Sequence, residues 1–342
     1  MAPYGQALKV RPNVRKDDRS SSTSKSEAGN VVLYAGDVDP EWSIGNVANG
    51  GYVLGLVLEA CIQFQSTKAH VDPLHVTAHF VRTTLTTAFD VCIRVVKIGA
   101  GFTNLTADLV QDGVVKLMTH VIFGTNEPGP NDNPSLVLDP PSPYARRLPL
   151  YTHPSEGKTR DVHYAMKFQK WMKWTEEKDI LDKNNVDSPT RTNSSTIGGG
   201  GLEWGTWFEF TNKDERITTP YLAFLADIFS NTPSLLPKSE RGDLQTSWFP
   251  TMTMAIEFKN KIKKSPKHSD RTVGIYSCGR FINPPQGRHE IYCEVWTAPS
   301  NIGEGSPSAN WRDEQVCLAV ATQMALVVPM ELNVRRGNGG KL

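Results

Sequence analysis

The 342 residues are too many for one ordinary hydrophobic core and suit two domains of roughly 100 to 150 residues each, with tails and insertions to spare. With 37 basic residues against 36 acidic the net charge is +1, so no global field recruits nucleic acid or an anionic membrane surface. The five cysteines, Cys61, Cys92, Cys278, Cys293 and Cys317, are odd in number, show no CxxC spacing and lie in apolar or alternating runs. That pattern argues against a disulfide framework and a zinc site, and for small buried hydrophobes in a reducing, intracellular setting.

In chain order, residues 1–30 form an expected disordered tail, because Lys9 to Asn30 is polar, charged and serine-rich and has no continuous apolar stretch of the signal-peptide kind. A short strand follows at Val31–Gly36. After the turn-rich approach containing Trp42 and Gly45, Asn49 is the expected cap of a helix running to about Gln65. That helix is apolar nearly all round, so it is wrapped on every side. Alternating or β-branched stretches at His75–Thr83, Phe89–Ile98, Leu105–Gln111 and Val115–Phe123 predict an antiparallel sheet enclosing it, an α+β layer architecture. These elements make up a first unit over 31–126. Residues 127–160, rich in Pro, Asn and Ser, read as a linker.

A second unit is expected over 161–332, followed by a tail at 333–342. Aromatic-rich strands at Tyr164–Thr175 and Leu202–Thr211 open it, with a flexible Ser/Thr/Gly tract between them at Asp187–Gly201. A second long helix is predicted at Pro220–Phe229, with proline in its first turn. A loop at Leu235–Phe249 leads to strands at Thr251–Asn260, Arg271–Phe281, His289–Trp296 and Val316–Val328. No apolar run reaches the roughly 20 residues a membrane span needs.

The two units repeat one plan: an apolar helix, then a β-rich tail that ends each half in its last strand. Aligned on Tyr52/Tyr221, Phe80/Phe258 and Thr119/Thr322, the first copy carries Leu58, Pro73 and His120 where the second carries Asp227, Thr251 and Gln323. The polar set in the second copy marks it as the seat of chemistry. Asp227 lies near the end of an apolar run, where a carboxylate is costly to bury without hydrogen-bonding partners.

The chain resembles the acyl-CoA thioesterase II (TesB-like) type, the double-hotdog members of the thioesterase superfamily. The likeness rests on Trp42, Asn49-Gly50-Gly51-Tyr52 and His79-Phe80-Val81-Arg82 in the first half. In the second it rests on Tyr221 to Asp227, Thr251 to Phe258 and Ala321-Thr322-Gln323. The resemblance implies a double hotdog, two long helices each wrapped by an antiparallel sheet, with the sheets joined edge to edge. It implies hydrolysis of an acyl thioester by water activated by the residues matching the family's Asp, Thr and Gln, namely Asp227, Thr251 and Gln323. The helix start at Gly50 and Gly51 is then the candidate oxyanion site. The basic run holding Lys259, Lys261 and Lys263 is the candidate grip on coenzyme A phosphates or a carrier-protein helix. No cofactor is implied, and homo-oligomerisation is left open.

His75 and His79 share one strand face, and His120, as the partner of Gln323, offers a vestigial first site; structural histidines are the plainer reading. No HExxH or paired His/Cys spacing supports a metal. The final Gly340-Lys341-Leu342 is a degenerate form of a peroxisomal address, and a polar tail is its plainer reading. Three functions fit the sequence: a thioester hydrolase, a biosynthetic tailoring enzyme acting by hydrolysis, dehydration or cyclisation on a polyketide-like substrate, and a non-catalytic acyl-ligand-binding protein.

Overall fold

The computed structural model describes residues 2–13, 31–127, 136–161, 165–185, 187–188, 200–242 and 244–337. The first half contributes β1 (Val32–Asp37), helix α2 (Gly50–Gln65), β2 (Asp72–Phe80), β3 (Ala88–Ile98), β4 (Thr103–Gln111) and β5 (Val114–Gly124). A four-residue helix α1 (Tyr4–Ala7) precedes them. The second half contributes β6 (Leu202–Phe210), α3 (Tyr221–Leu225), β7 (Thr251–Phe258), β8 (Thr272–Gly279), β9 (Arg288–Thr297), β10 (Cys317–Ala325) and α4 (Met330–Gly337).

These strands belong to one 14-stranded sheet, in the order β1-β3-β4-β5-β2-β7-β10-β9-β8-β6, with short strands added at its ends. Read outward from the central β2–β7 pair, the two halves have the same strand order. Duplication of one unit accounts for that symmetry, and the antiparallel β2–β7 seam, with Ala78 opposite Met254 and Val76 opposite Ile256, fuses the copies into a continuous sheet. Each strand near the seam sends alternate apolar side chains, such as Val76, Ala78, Ile256 and Ala321, into the core that holds the helices.

Helix α2 is helical because its start is well capped and its sides are apolar nearly all round. Asn49 Oδ1 accepts the Tyr52 amide at 2.9 Å, and Leu54, Leu56, Val57 and Leu58 are fully buried. The second long helix is not found: α3 has five residues where ten were expected. The reason is local. The carbonyl of Ala226, which a continuing helix would need, accepts instead from Gln323 Nε2 at 2.9 Å, and Pro233 lacks the amide to carry a helix onward. The chain turns away and short helices at Thr232–Leu235 and Lys238–Arg241 follow.

The ends of the chain also differ from expectation. Residues 2–13, placed by composition in a disordered tail, are ordered, while 14–30 lie outside the described residues. Tyr4 is fully buried and meets Trp42, Tyr52, Phe210, Tyr221 and Phe224 ring to ring. The Gly5 amide donates to Glu215 at 2.6 Å, so this segment bridges both halves. The apolar residues ahead of the polar run decide the matter. At the other end, helix α4 occupies residues placed in a tail, because Asn333 is fully buried. Its side chain accepts from the Asn46 amide and donates to the Ile44 carbonyl, each at 2.9 Å.

Of the aromatic strand expected at Tyr164–Thr175, only Met172–Thr175 is extended; a 3₁₀ turn at Lys167–Trp171 precedes it and Tyr164 is outside the described residues. Most of the Ser/Thr/Gly tract and the terminal Gly-Lys-Leu also lie outside them. Among the described residues no helix is long and apolar enough to cross a membrane.

Helices α2 and α3 approach closely at Gly51. A Cβ there would collide with the Ala223 carbonyl oxygen and come 2.6 Å from Cβ of Asp227. Gly51→Ala gains about 1 kcal/mol of helix propensity but must push two buried helices apart, which costs about 1–3 kcal/mol. The substitution is therefore expected to lower the midpoint of thermal or urea unfolding, and an unchanged or raised midpoint would contradict this packing.

Candidate functional site

Asp227 lies just past the end of α3, with its backbone amide still bonded to the Phe224 carbonyl at 3.0 Å. Its carboxylate points across the helix contact at the start of α2. There Oδ2 accepts the Gly51 amide at 2.7 Å, an orientation in which the positive end of a 16-residue helix faces a negative group. Thr251 Oγ1 lies 3.2 Å from Asp227 Oδ1 and equally 3.2 Å from Gln323 Oε1. Three residues expected together from the sequence, drawn from a helix end and two strands, thus share one site.

The strand geometry explains how Thr251 gets there. Along β7 the inward residues are Met254, Ile256 and Phe258, and strict alternation would make residue 252 the next inward one. A register shift against β10 between Thr251 and Thr253 breaks that alternation, turning Thr251 toward the buried side where Gln323 sits. The same facing rule corrects the alignment of the two halves. On β10 the inward residues are Ala321, Gln323 and Ala325, whereas on β5 they include Thr119 and Val121. His120 therefore points to the other face and is no counterpart of Gln323; one residue of slip reverses the face. His79 is exposed on the outer face of β2 as well.

Burial pushes the Asp227 carboxyl up to about 6; the Gly51 amide and the side chains of Gln323, Thr251 and Asn49 pull the other way. The carboxylate retains partial solvent access, and that access is to a cavity of about 790 Å³ lined also by Asn49, Gly50 and Thr251. The group is thus wrapped by protein and open to water on one side. The hydroxyl of Thr251 has one proton for two acceptor oxygens, Asp227 Oδ1 and Gln323 Oε1, while the Gln323 amide nitrogen gives one of its two hydrogens to the Ala226 carbonyl. When Asp227 is ionised Thr251 can donate to it. When Asp227 is protonated its own hydrogen can be given to Thr251 Oγ1, which then donates to Gln323. The site accommodates a proton on Asp227 without leaving a buried group unpaired.

Two of the expected site residues behave differently from expectation. The Gly51 amide is already bonded to Asp227, which leaves Gly50, on the cavity wall, as the helix-start glycine whose amide has no hydrogen-bond partner among the described residues. Lys259, Lys261 and Lys263 do not line the cavity. They follow the far end of β7, whose eight residues span about 26 Å from Thr251, and acids already hold them: Glu257 for Lys259, Asp72 and Glu127 for Lys261, and Glu127 for Lys263. Asn49 was legible as a cap but not as a neighbour of Asp227; its position beside two glycines at a helix start was the available signal. Among the described residues no group of three His, Cys, Asp or Glu side chains is arranged to hold a metal ion.

Two copies of one helix-and-sheet plan fused into a single antiparallel sheet, with a carboxylate bonded to the start of the first copy's helix, fit the hotdog plan of thioesterases. The chain matches the acyl-CoA thioesterase N-terminal domain over residues 38–124 and the acyl-CoA thioesterase C-terminal domain over 152–298. It belongs to the acyl-CoA thioesterase family and is a hydrolase of thioesterase type. Among solved structures it is similar to a candidate thioesterase II from Thermobifida fusca, at 17% identity and a TM-score of 0.63, with 96% of this chain and 98% of that one covered. It is also similar to the acyl-CoA thioesterase II TesB2 from Mycobacterium marinum, at 12% identity and a TM-score of 0.58, covering 95% and 98%. A hot dog fold protein of unknown function from Alicyclobacillus acidocaldarius aligns at 14% identity and a TM-score of 0.58, again covering 95% and 98%. At these identities the likeness establishes the fold. No curated protein sequence matches the chain.

The raised carboxyl of Asp227 has a stability consequence. The folded chain holds that proton more tightly than the unfolded one, so stability falls as pH rises from the ordinary aspartate value through about 6, and the penalty is complete above it. Its size is at most about 3 kcal/mol, less what the cavity water screens. Asp227→Asn, which cannot ionise, is expected to melt higher than the parent at pH 7.5, the gap closing near pH 4. A parent that is the more stable at pH 7.5 would refute the buried-charge assignment.

Proposed function

We propose that the chain hydrolyses an acyl thioester borne on coenzyme A or a carrier protein, with Asp227 as general base and Thr251 and Gln323 steering its proton. A water in the cavity beside Asp227 Oδ1 gives that oxygen a proton as its own oxygen attacks the thioester carbonyl carbon. The carbonyl oxygen becomes an oxyanion, for which the Gly50 amide at the α2 start is the donor, favoured by the helix dipole. Collapse of the tetrahedral species re-forms the carbonyl and breaks the C–S bond; the thiolate takes the proton back from Asp227, releasing a carboxylic acid and a thiol. No covalent enzyme intermediate is required.

The observation that carries this reading is the convergence of Asp227, Thr251 and Gln323, with Asp227 and Thr251 on the wall of a water-accessible cavity and Gln323 buried behind them. A carboxyl held at about 6 is ionised at neutral pH, yet is a stronger base than an ordinary aspartate. The aromatic lining of that cavity, including Trp174, Phe229, Trp248 and Phe249, favours one variant of the reading: a bulky, polyketide-like acyl group processed in a biosynthetic pathway. Accumulation of a single specialised intermediate on deletion of the gene would support that variant, and a general rise in acyl-CoA would support a housekeeping role.

The direct test is a thioester panel with free-thiol detection. Asp227→Asn is expected to lower kcat by about a hundredfold or more while remaining folded, and the parent's kcat/KM should fall tenfold per pH unit below about 6. Full turnover by the Asn variant on the parent's best thioester, or a parent that binds but never cleaves any member of the panel, would end the proposal.

A further inference from the structure

The start of α2 holds more donors than its own capping needs. Asn49 is 3% exposed and lies on the cavity wall beside Gly50. Its backbone is tied on both sides: the amide donates to the Trp42 carbonyl at 2.9 Å, and the carbonyl accepts from the Val53 amide at 3.1 Å. Its side-chain oxygen accepts the Tyr52 amide at 2.9 Å. With that oxygen committed to the cap, the plane of the side-chain amide is set, and Nδ2 is the end left for the site. Nδ2 carries two hydrogens. One serves Asp227, because the Asn49 side chain is among the donors that favour the charged carboxyl. No hydrogen bond among the described residues claims the other.

A capping asparagine uses only its oxygen, and serine or aspartate caps about as well. Capping therefore does not account for an amide at this position, whereas its neighbours do. A Cβ on Gly50 would lie 3.3 Å from Asp227 Oδ2, so the partnerless Gly50 amide, the Asn49 nitrogen and the carboxylate are crowded into one corner of the cavity. The other copy lacks this set. With Tyr52 aligned on Tyr221, residues 49–51 correspond to Thr218-Thr219-Pro220; α3 begins there without a side-chain cap, and Pro220 has no amide to match the one that Gly51 gives to Asp227. Of the two repeated helix starts, the one that faces a carboxylate carries the donors.

We propose that Asn49 is a further catalytic residue, its Nδ2 donating, beside the Gly50 amide, to the thioester carbonyl oxygen as that oxygen becomes an oxyanion. The proposal rests on the hydrolase reading above and adds a side-chain donor to it. As water attacks, its proton goes to Asp227, and the negative charge passes from that carboxylate to the former carbonyl oxygen. A fixed amide beside both oxygens favours the carboxylate before the step and the oxyanion after it, with no reorganisation. When the C–S bond breaks, the electron pair leaves with sulfur, the proton returns from Asp227, and Asn49 again serves the carboxylate.

The test separates capping from donation, since serine and aspartate keep the cap and lack the amide nitrogen. The full chain is assayed on the parent's best thioester, with the thioether analogue of that substrate, which has no carbonyl, as a binding probe. Asn49→Ser is expected to unfold close to the parent and to bind the thioether with unchanged Kd, while kcat falls by about a hundredfold. The acid limb of its pH profile should move above about 6, because Asp227 loses a donor. Asn49→Asp should lose at least as much kcat and move that limb further, since neighbouring carboxyls disfavour each other's charge; where serine unsettles the helix start, this isosteric variant carries the same reading. Asn49→Ala, which removes cap and donor together, should add a lowered unfolding midpoint to the same loss of kcat. Parental kcat in a folded Asn49→Ser or Asn49→Asp, or a loss confined to KM, overturns the role of Asn49, and an inactive Asp227→Asn alongside leaves the hydrolase reading intact. A slowed Asn49→Ser beside a fully active Asp227→Asn keeps the donor at the carbonyl and sinks Asp227 as the base.

Discussion

The site depends on one contact, the 2.7 Å bond from the Gly51 amide to the Asp227 carboxylate. It joins the start of the long helix of the first half to the end of the short helix of the second, at a separation that only a residue without a side chain permits. Two opposed forces meet there. Burial makes the charged form of Asp227 expensive, and the helix-start amide with three polar side chains makes it cheaper; the balance lies near 6 rather than at either extreme. A fold selected for stability alone would fill the position with a neutral residue, and the ionisable group held at this balance is the reason the proposed hydrolysis is assigned to Asp227.

The same contact explains why the two copies no longer match. Their sheets keep the same strand order, but the helices have taken different shapes. The first remains a 16-residue helix, and a longer run of peptide dipoles sets a firmer positive end for the carboxylate to meet. The second stops after five residues, because Gln323 takes the carbonyl that would have extended it. One residue, Gln323, thereby shortens the helix, leaves Asp227 at its end and offers Thr251 a second acceptor. The repeat supplies the scaffold; the asymmetry supplies the chemistry.

What could be read from the sequence follows from what has a local signal. The capped helix from Asn49, the alternating strands and the triad types at Asp227, Thr251 and Gln323 all could, the triad through family likeness rather than spacing. The shift that turns Thr251 inward could not, because alternation in a sequence assumes an unbroken register, and for the same reason His120 was aligned with Gln323 although they occupy opposite faces. The ordered N-terminus was hidden by the polar run that follows Tyr4, since composition averages over a window while burial is decided residue by residue. The placement of the basic lysines was not legible because charge on a sequence carries no distance: they follow the far end of the strand that begins at Thr251, off the cavity wall, and have acidic partners.

The cavity separates two tasks along the chain. Its floor comes from helix ends and strands inside the repeated plan. Much of its wall comes from what the repeat lacks: the segment at 241–250 and the chain after β10 through Arg336. Floor residues are held by contacts that define the fold, so changing them disturbs both stability and chemistry. The added wall is pinned instead by a short strand pair and by the side chain of Asn333, contacts that fix its position without setting the register of the main sheet. Such a wall can vary its apolar and charged residues, Leu332 and Arg336 among them, at little cost to the base beneath it. On the proposed function, residues of that wall would therefore set substrate choice apart from the residues that cleave the bond.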